Sequence, residues 1–150
     1  MSSDALVQDM VITLSGGFDI IHPGHIRMIQ GAACFGKVVI ILNSDEWLRR
    51  KRGFVMMHWD ERREILSALE HVADVVPVDD SDGTVCEALR RIRPDIFGNG
   101  GLRLPSNTPE RRVCQELDIK LVFGLGGAGR DTYTNEVFER VVQAGKSLKI

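Results

Sequence analysis

His22 and His25 stand three positions apart, separated by Pro23-Gly24 and preceded by Gly16-Gly17-Phe18-Asp19. Proline suits the first turn of a helix, where its missing N–H costs nothing. Pro23 therefore predicts a helix start, with His22 at the entrance and His25 in the first turn. The unpaired N–H groups and the positive dipole end of a helix make an anion site there. Gly16 and Gly17 carry no side chain, so their backbone N–H groups can approach a ligand closely. A lone histidine is more often a satisfied structural residue than a ligand. Two imidazoles beside glycine N–H groups at a helix mouth instead fit the chemistry of phosphate binding and charge stabilisation.

The neighbouring elements explain how these residues would be positioned. Met10-Val11-Ile12-Thr13-Leu14 is β-branched and apolar, and reads as a buried strand over 10–15. A helix over 23–36 follows, with Ile26, Ile29 and Ala33 on one stripe and Gly36 at its end. The stretch with the histidines is thus a strand-to-helix turn at the carboxyl end of a first strand, where open α/β sheets bind ligands. Lys37 to Asn43 is a nearly continuous apolar run, as expected of a strand buried on both faces in a parallel sheet. Ser44 caps a short helix, and Arg49, Arg50, Lys51 and Arg52 form a basic loop ending at Gly53. A charge run of this kind either lies solvated or binds phosphate. A helix from about His58 to His71 carries Ile65, Leu66, Leu69 and Val72 as its buried stripe. Strand three, over 73–78, contains Pro77, which directs it to a sheet edge. Thr84-Val85-Cys86-Glu87 has capping-box spacing and opens a helix that Pro94 stops. Asp95-Ile96-Phe97 is strand four, Thr108-Pro109-Glu110 caps the next helix, 119–123 is strand five, and Val137 to Val142 lie in a final helix. Strands alternating with helices require a parallel sheet covered on both faces.

Gly124-Leu125-Gly126-Gly127-Ala128-Gly129 matches the dinucleotide pattern G-x-G-x-x-G. That pattern works inside a βαβ unit with an acidic residue on the next strand. Residues 130–150 offer no such strand, so a dinucleotide oxidoreductase is disfavoured and the glycines read as a flexible loop over the sheet edge.

With 150 residues the chain suits one domain, residues 1–150, with 1–9 a flexible N-terminus. Its net charge of −2 gives no nucleic-acid footprint. No run is long and apolar enough for a membrane span, and the first nine residues lack the apolar core of a signal peptide. Cys34, Cys86 and Cys114 follow no C-x-x-C spacing, and read as reduced, buried thiols of a cytoplasmic protein.

The turn Gly16-Gly17-Phe18-Asp19-Ile20-Ile21-His22-Pro23-Gly24-His25 resembles the signature G-x-F-D-x-x-H-x-G-H of the cytidylyltransferase-like nucleotidyltransferases. That group includes the enzymes for CDP-glycerol, CDP-choline or CDP-ethanolamine, ADP-heptose and archaeal FAD. The resemblance extends over roughly residues 11 to 140 and implies a Rossmann-like fold with five parallel strands and helices on both faces. It further implies that an NTP, with CTP favoured over ATP, is joined to a phosphorylated polyol or sugar with release of pyrophosphate. His22, His25 and Lys51 would be catalytic. Gly16, Gly17, Phe18, Asp19, Gly24, Arg52, Arg62, Asn99, Gly100, Arg130, Thr132 and Thr134 would bind the nucleotide. Asp19 would orient a histidine, hold the acceptor or help place Mg²⁺, itself bound mainly through substrate phosphates. Relatives are commonly homodimers, so a homodimer is expected. The chain departs from the pattern at three places. His58 stands where relatives usually have Pro, Asn99-Gly100-Gly101-Leu102 replaces a Lys-Gly-Gly-Asp-like sequence, and Arg130 to Thr134 replace a Ser-Thr-Thr element. The last two departures keep open a different class of answer, a nucleotide-binding regulator that has lost turnover.

Overall fold

The computed structural model describes residues 9–101, 103–127 and 133–147. Five parallel strands run in the order β3-β2-β1-β4-β5, where β1 is Val11–Gly16, β2 Lys37–Leu42, β3 Val72–Val76, β4 Ile96–Gly100 and β5 Lys120–Leu125. The expected Rossmann-like α/β fold is therefore present. Its helices are α1 (Pro23–Ala33), α2 (Asp45–Arg52), α3 (Trp59–Ser67), α4 (Cys86–Ile92), α5 (Arg111–Glu116) and α6 (Tyr133–Ser147). Strand β3 lies at an edge, where Pro77 just beyond it leaves no ladder bond unmade.

Strand periodicity divides the core in two. Val38, Ile40 and Leu42 of β2 point to one face, where they join Ile12 and Leu14 of β1, Ile29 and Ala32 of α1 and Leu66 of α3. Ile41 points to the other face with Phe97, and meets Cys86, Ala88 and Leu89 of α4 and Val113 and Cys114 of α5. Full burial of such a side chain stabilises by about 1.5–3 kcal/mol, so both layers hold the central strands firmly. The carboxyl ends of β1 and β4, neighbours at the centre, open between these layers.

Several local expectations need correction. The basic run Arg49–Arg52 is not a loop but the last turn of α2, where cations meet the negative end of the helix dipole. Helix α3 is shorter than 58–71; Leu66 is buried, Ile65 is exposed, and Val72 begins β3. The capping box at Thr84 does not form, because Glu87 accepts from the Asp79 N–H instead, 2.9 Å away. Nor is Thr108 the cap of α5: Glu110 takes that position. Cys86 and Cys114 are buried free thiols as expected, whereas Cys34 is exposed at the end of α1. Burial and the neighbouring Glu110 push the Cys114 thiol up to about 11. The glycine-rich stretch is not a loose cover over the sheet edge as far as Gly127. Gly124 and Leu125 complete β5, and Gly126, at φ +81, lies against α1 so closely that a Cβ there would sit 2.9 Å from the Met28 nitrogen. Among the described residues no helix is long and apolar enough to cross a membrane.

Candidate active site

The turn after β1 builds one wall of a cavity of about 540 Å³ at the carboxyl ends of the strands. Gly16 has no side chain because the Phe18 ring occupies the space, with a ring carbon 3.1 Å from where a Cβ would stand. At Gly17 a Cβ would come within 2.7 Å of Leu48 Cδ2. Phe18 takes a left-handed conformation, φ 49, held by a ring that is only 4% exposed. His22 then caps α1 with extended backbone, and its Nδ1 accepts the Gly24 N–H at 3.1 Å. The His22 ring lies 2.9 Å from where a Gly24 Cβ would be, so the glycine between the histidines makes this cap possible. His25 Nδ1 accepts the His22 N–H at 3.3 Å, completing a capping box built from two imidazoles.

The two rings stack with centroids 3.7 Å apart, and Phe18 backs His25 at 4.7 Å. Burial lowers both histidines from their ordinary value. His25 falls to about 3, through desolvation first and the neighbouring His22 second. Both are thus neutral at pH 7. With Nδ1 accepting from the backbone, each neutral ring carries its proton on Nε2 and is a hydrogen-bond donor there. Two neutral donors at a helix N-terminus suit phosphate oxygens on which charge builds up.

Asp19 has a different task. Its carboxylate accepts the backbone N–H groups of Met56 and Met57, both at 2.9 Å, and pairs with Arg52. Arg52 also donates to the Asp19 carbonyl and lies over the Phe54 and Phe138 rings, at 4.7 and 5.1 Å. The acid therefore locks the segment after α2 onto the turn after β1. Lys51, on the same helix turn, places its ammonium 4.5 Å from the Trp47 ring centroid.

The cavity brings together most of the residues expected from the sequence. Gly16, Gly17, Phe18, Asp19, His22, Gly24 and His25 line it from the β1 turn, and Lys51 and Arg52 from α2. Asn99 and Gly100 line it from β4, and Thr134 from the start of α6. Asn99 is 7% exposed and donates to the Phe97 and Val122 carbonyls, both at 3.4 Å. Arg130 and Thr132 lie outside the described residues. Arg62 is the exception: it is fully buried and does not line the cavity. Its guanidinium donates to the carbonyls of Met57, Gly17 and Asn43 and to Asp45, at 2.7–2.9 Å. It is not a surface residue, and it stands behind the cavity wall rather than on it. It is the tie that fixes the glycine turn to the ends of β2 and the segment before α3.

Sequence reasoning missed other wall residues. Trp47, Asn43, Met28, Arg103 and Glu110 also face the cavity. Asn43 is fixed by Asp80, which accepts its amide at 3.0 Å together with the N–H and hydroxyl of Ser44. Glu110 appeared only as a first-turn acid of a helix, a position that carries no functional signal by itself.

The chain is similar to known proteins in sequence and in fold. Residues 13–124 match the model of the cytidylyltransferase-like family. Among curated proteins the chain is similar to the bifunctional protein HldE of Syntrophotalea carbinolica, with 37% identity over 142 residues covering 89% of this chain and 28% of the relative. The HldE protein of Sulfurimonas denitrificans is 39% identical over 112 residues, covering 73% of this chain and 23% of the relative. The chain thus spans only about a quarter of the length of these relatives. Among solved structures it is similar in fold to the lipopolysaccharide core biosynthesis protein from Thermoplasma volcanium, with a TM-score of 0.65 at 20% identity over 76% of this chain and 94% of that one. With the two-histidine turn on the first strand of a five-stranded parallel sheet, and with a family match over most of its length, this chain belongs to the cytidylyltransferase-like family.

Proposed function

We propose that the protein is a nucleotidyltransferase that joins an NTP to a phosphorylated polyol or sugar and releases pyrophosphate. The observation that carries this reading is the stacked pair of neutral imidazoles at the mouth of α1, on the wall of a cavity large enough for a nucleotide. A phosphate oxygen of the acceptor attacks the α-phosphorus, the bond from that phosphorus to the α,β-bridging oxygen breaks, and the β- and γ-phosphates leave together as pyrophosphate. The acceptor phosphate is ionised at neutral pH and no protein nucleophile is needed. Catalysis then consists of positioning two anions and stabilising charge in the transition state. His22 and His25 donate from Nε2 to the α-phosphate as that charge develops. Backbone N–H groups of the Gly16–Phe18 turn hold phosphate oxygens, and Lys51 binds the departing pyrophosphate. Arg52 contributes from its place beside Asp19.

Mg²⁺ is the proposed cofactor, supplying charge neutralisation on the phosphates. Asp19 has both carboxylate oxygens occupied by protein donors, and among the described residues no group of three metal-binding side chains is assembled. This donor set fits an ion carried on the substrate phosphates rather than one held in a protein cage. CTP is the first choice of donor. The likeness to heptose-phosphate adenylyltransferases supports ATP with a sugar phosphate as the second. A homodimer and a cytoplasmic location belong to the same proposal.

The test is pyrophosphate release with each NTP against a panel of phosphorylated acceptors, for wild type and for His25→Ala. Turnover of the variant is expected to fall by roughly 10²–10³-fold, the loss typical for one transition-state donor, with the fold retained at a stability cost of about 1 kcal/mol for the lost cap. Normal turnover by the variant would sink the assignment. Tight NTP binding without pyrophosphate release would instead favour the regulator suggested by Asn99 and Leu102.

A further inference from the structure

Glu110, only 5% exposed, stands at the wall of the cavity apart from the histidines and the basic helix end. It enters from the start of α5, on the sheet face opposite α1 and its histidines. Its Oε1 accepts the Val85 N–H at the head of α4, 3.3 Å away, which anchors the carboxylate between the two helices. Its Oε2 is fully buried and takes no hydrogen bond among the described residues. Among the described residues the cation paired with it, Arg103 Nη1, stands 4.0 Å away, beyond hydrogen-bond reach, and donates to the Asn107 carbonyl at 3.2 Å. A buried carboxylate oxygen without a donor is costly, and in a native fold it calls for a physical reason such as a catalytic role or a bound partner.

What would complete it follows from charge and shape. A phosphate is repelled by the carboxylate. A cation is disfavoured by the Arg103 guanidinium close by. Among the described lining residues the aromatic rings, Phe18 and Trp47, come from the β1 turn and α2 rather than from the segments around Glu110. Neutral O–H donors remain. We infer that Glu110 is a hydroxyl-recognising residue of this cavity, accepting hydrogen bonds from a ligand diol at Oε2 once its carboxylate turns that closed oxygen toward the cavity. The diol belongs either to the ribose of the nucleotide or to the polyol or sugar chain of the acceptor. This rests on the proposed reading of the cavity, and gives a chemical reason for a substrate rich in hydroxyls.

Calorimetric titration of wild type and Glu110→Gln tests it, with ligands in matched pairs. CTP and ATP are compared with their 2′,3′-dideoxy forms, and glycerol 3-phosphate with n-propyl phosphate. Wild type is expected to prefer the hydroxylated member of one pair by about 10-fold or more, as loss of a hydrogen bond to a charged group implies. The pair that shows the preference identifies the source of the diol. Glutamine retains an oxygen for the Val85 N–H, so the variant should keep its thermal midpoint while the preference falls below about 2-fold. Glu110→Asp, which keeps the charge but withdraws it, should lose the preference too. An unchanged preference in folded variants, or none in wild type, overturns the assignment. Failure of every nucleotide and phosphate to bind wild type would bring down the cavity reading itself, and this inference with it.

Discussion

His25 has the most displaced ionisation at the site, and that has a measurable consequence. Its unfolded value is near 6.5 and its folded value about 3. Between these the unfolded chain binds a proton that the native chain does not, so acid favours unfolding. Stability from this group is complete above about pH 6.5 and is lost as pH falls toward about 3, at up to about 1.4 kcal/mol per unit. His22, also lowered by burial, adds in the same direction. Urea denaturation from about pH 4.5 to 7.5 should show a steeper acid loss in wild type than in His25→Asn, whose side chain does not titrate there. Equal slopes would contradict the buried, neutral ring. The two histidines were legible from sequence because Pro23 and Gly24 between them fix a helix start. Glu110 was not, since only the fold brings it to the cavity.

At the scale of elements, Arg62 shows how a helix can serve a site without entering it. From α3 it donates to Gly17, Asn43, Met57 and Asp45, so the glycine turn is held from behind. Replacing it by methionine would leave these carbonyls and an acid partly unpaired in the interior. Destabilisation of roughly 3–5 kcal/mol is expected, read as a lower urea midpoint. Lysine should recover little, because a single ammonium cannot reach four acceptors spread around a planar fork. If Arg62→Met keeps wild-type stability but weakens nucleotide binding, the residue is a ligand contact after all. Sequence spacing located this arginine on the right helix but could not give its direction. Helical periodicity of apolar residues says nothing about a charged side chain that turns inward to satisfy backbone carbonyls. The same gap explains α2. Its last turn is entirely basic and reads as loop until the favourable dipole at its end is considered.

In the whole molecule, strand order arranges the charges. Strands β2 and β4 flank β1, so Lys51 and Arg52 approach the histidines from one side and Arg103 from the other. The alternation of strands and helices was readable from apolar runs and breakers, and Pro77 correctly marked an edge. The order of the strands was not legible, because periodicity carries no information about which strand pairs with which. A cavity assembled from so many separate segments couples ligand occupancy to global stability. CTP or ATP at about 100 times its Kd should stabilise the fold by about 2.7 kcal/mol, a rise of roughly 5–10 °C in Tm by thermal denaturation. No shift with any NTP would count against a nucleotide site.

Both imidazoles have given their only basic nitrogen to the main chain. Neither has a lone pair left to pull a proton from an alcohol. Free polyols and unphosphorylated sugars would therefore stay inert here even if they fitted, while an oxyanion already ionised in water meets no such barrier. On the proposed reaction, the cap that starts the first helix would screen incoming partners by their acidity, before shape or base identity has any say.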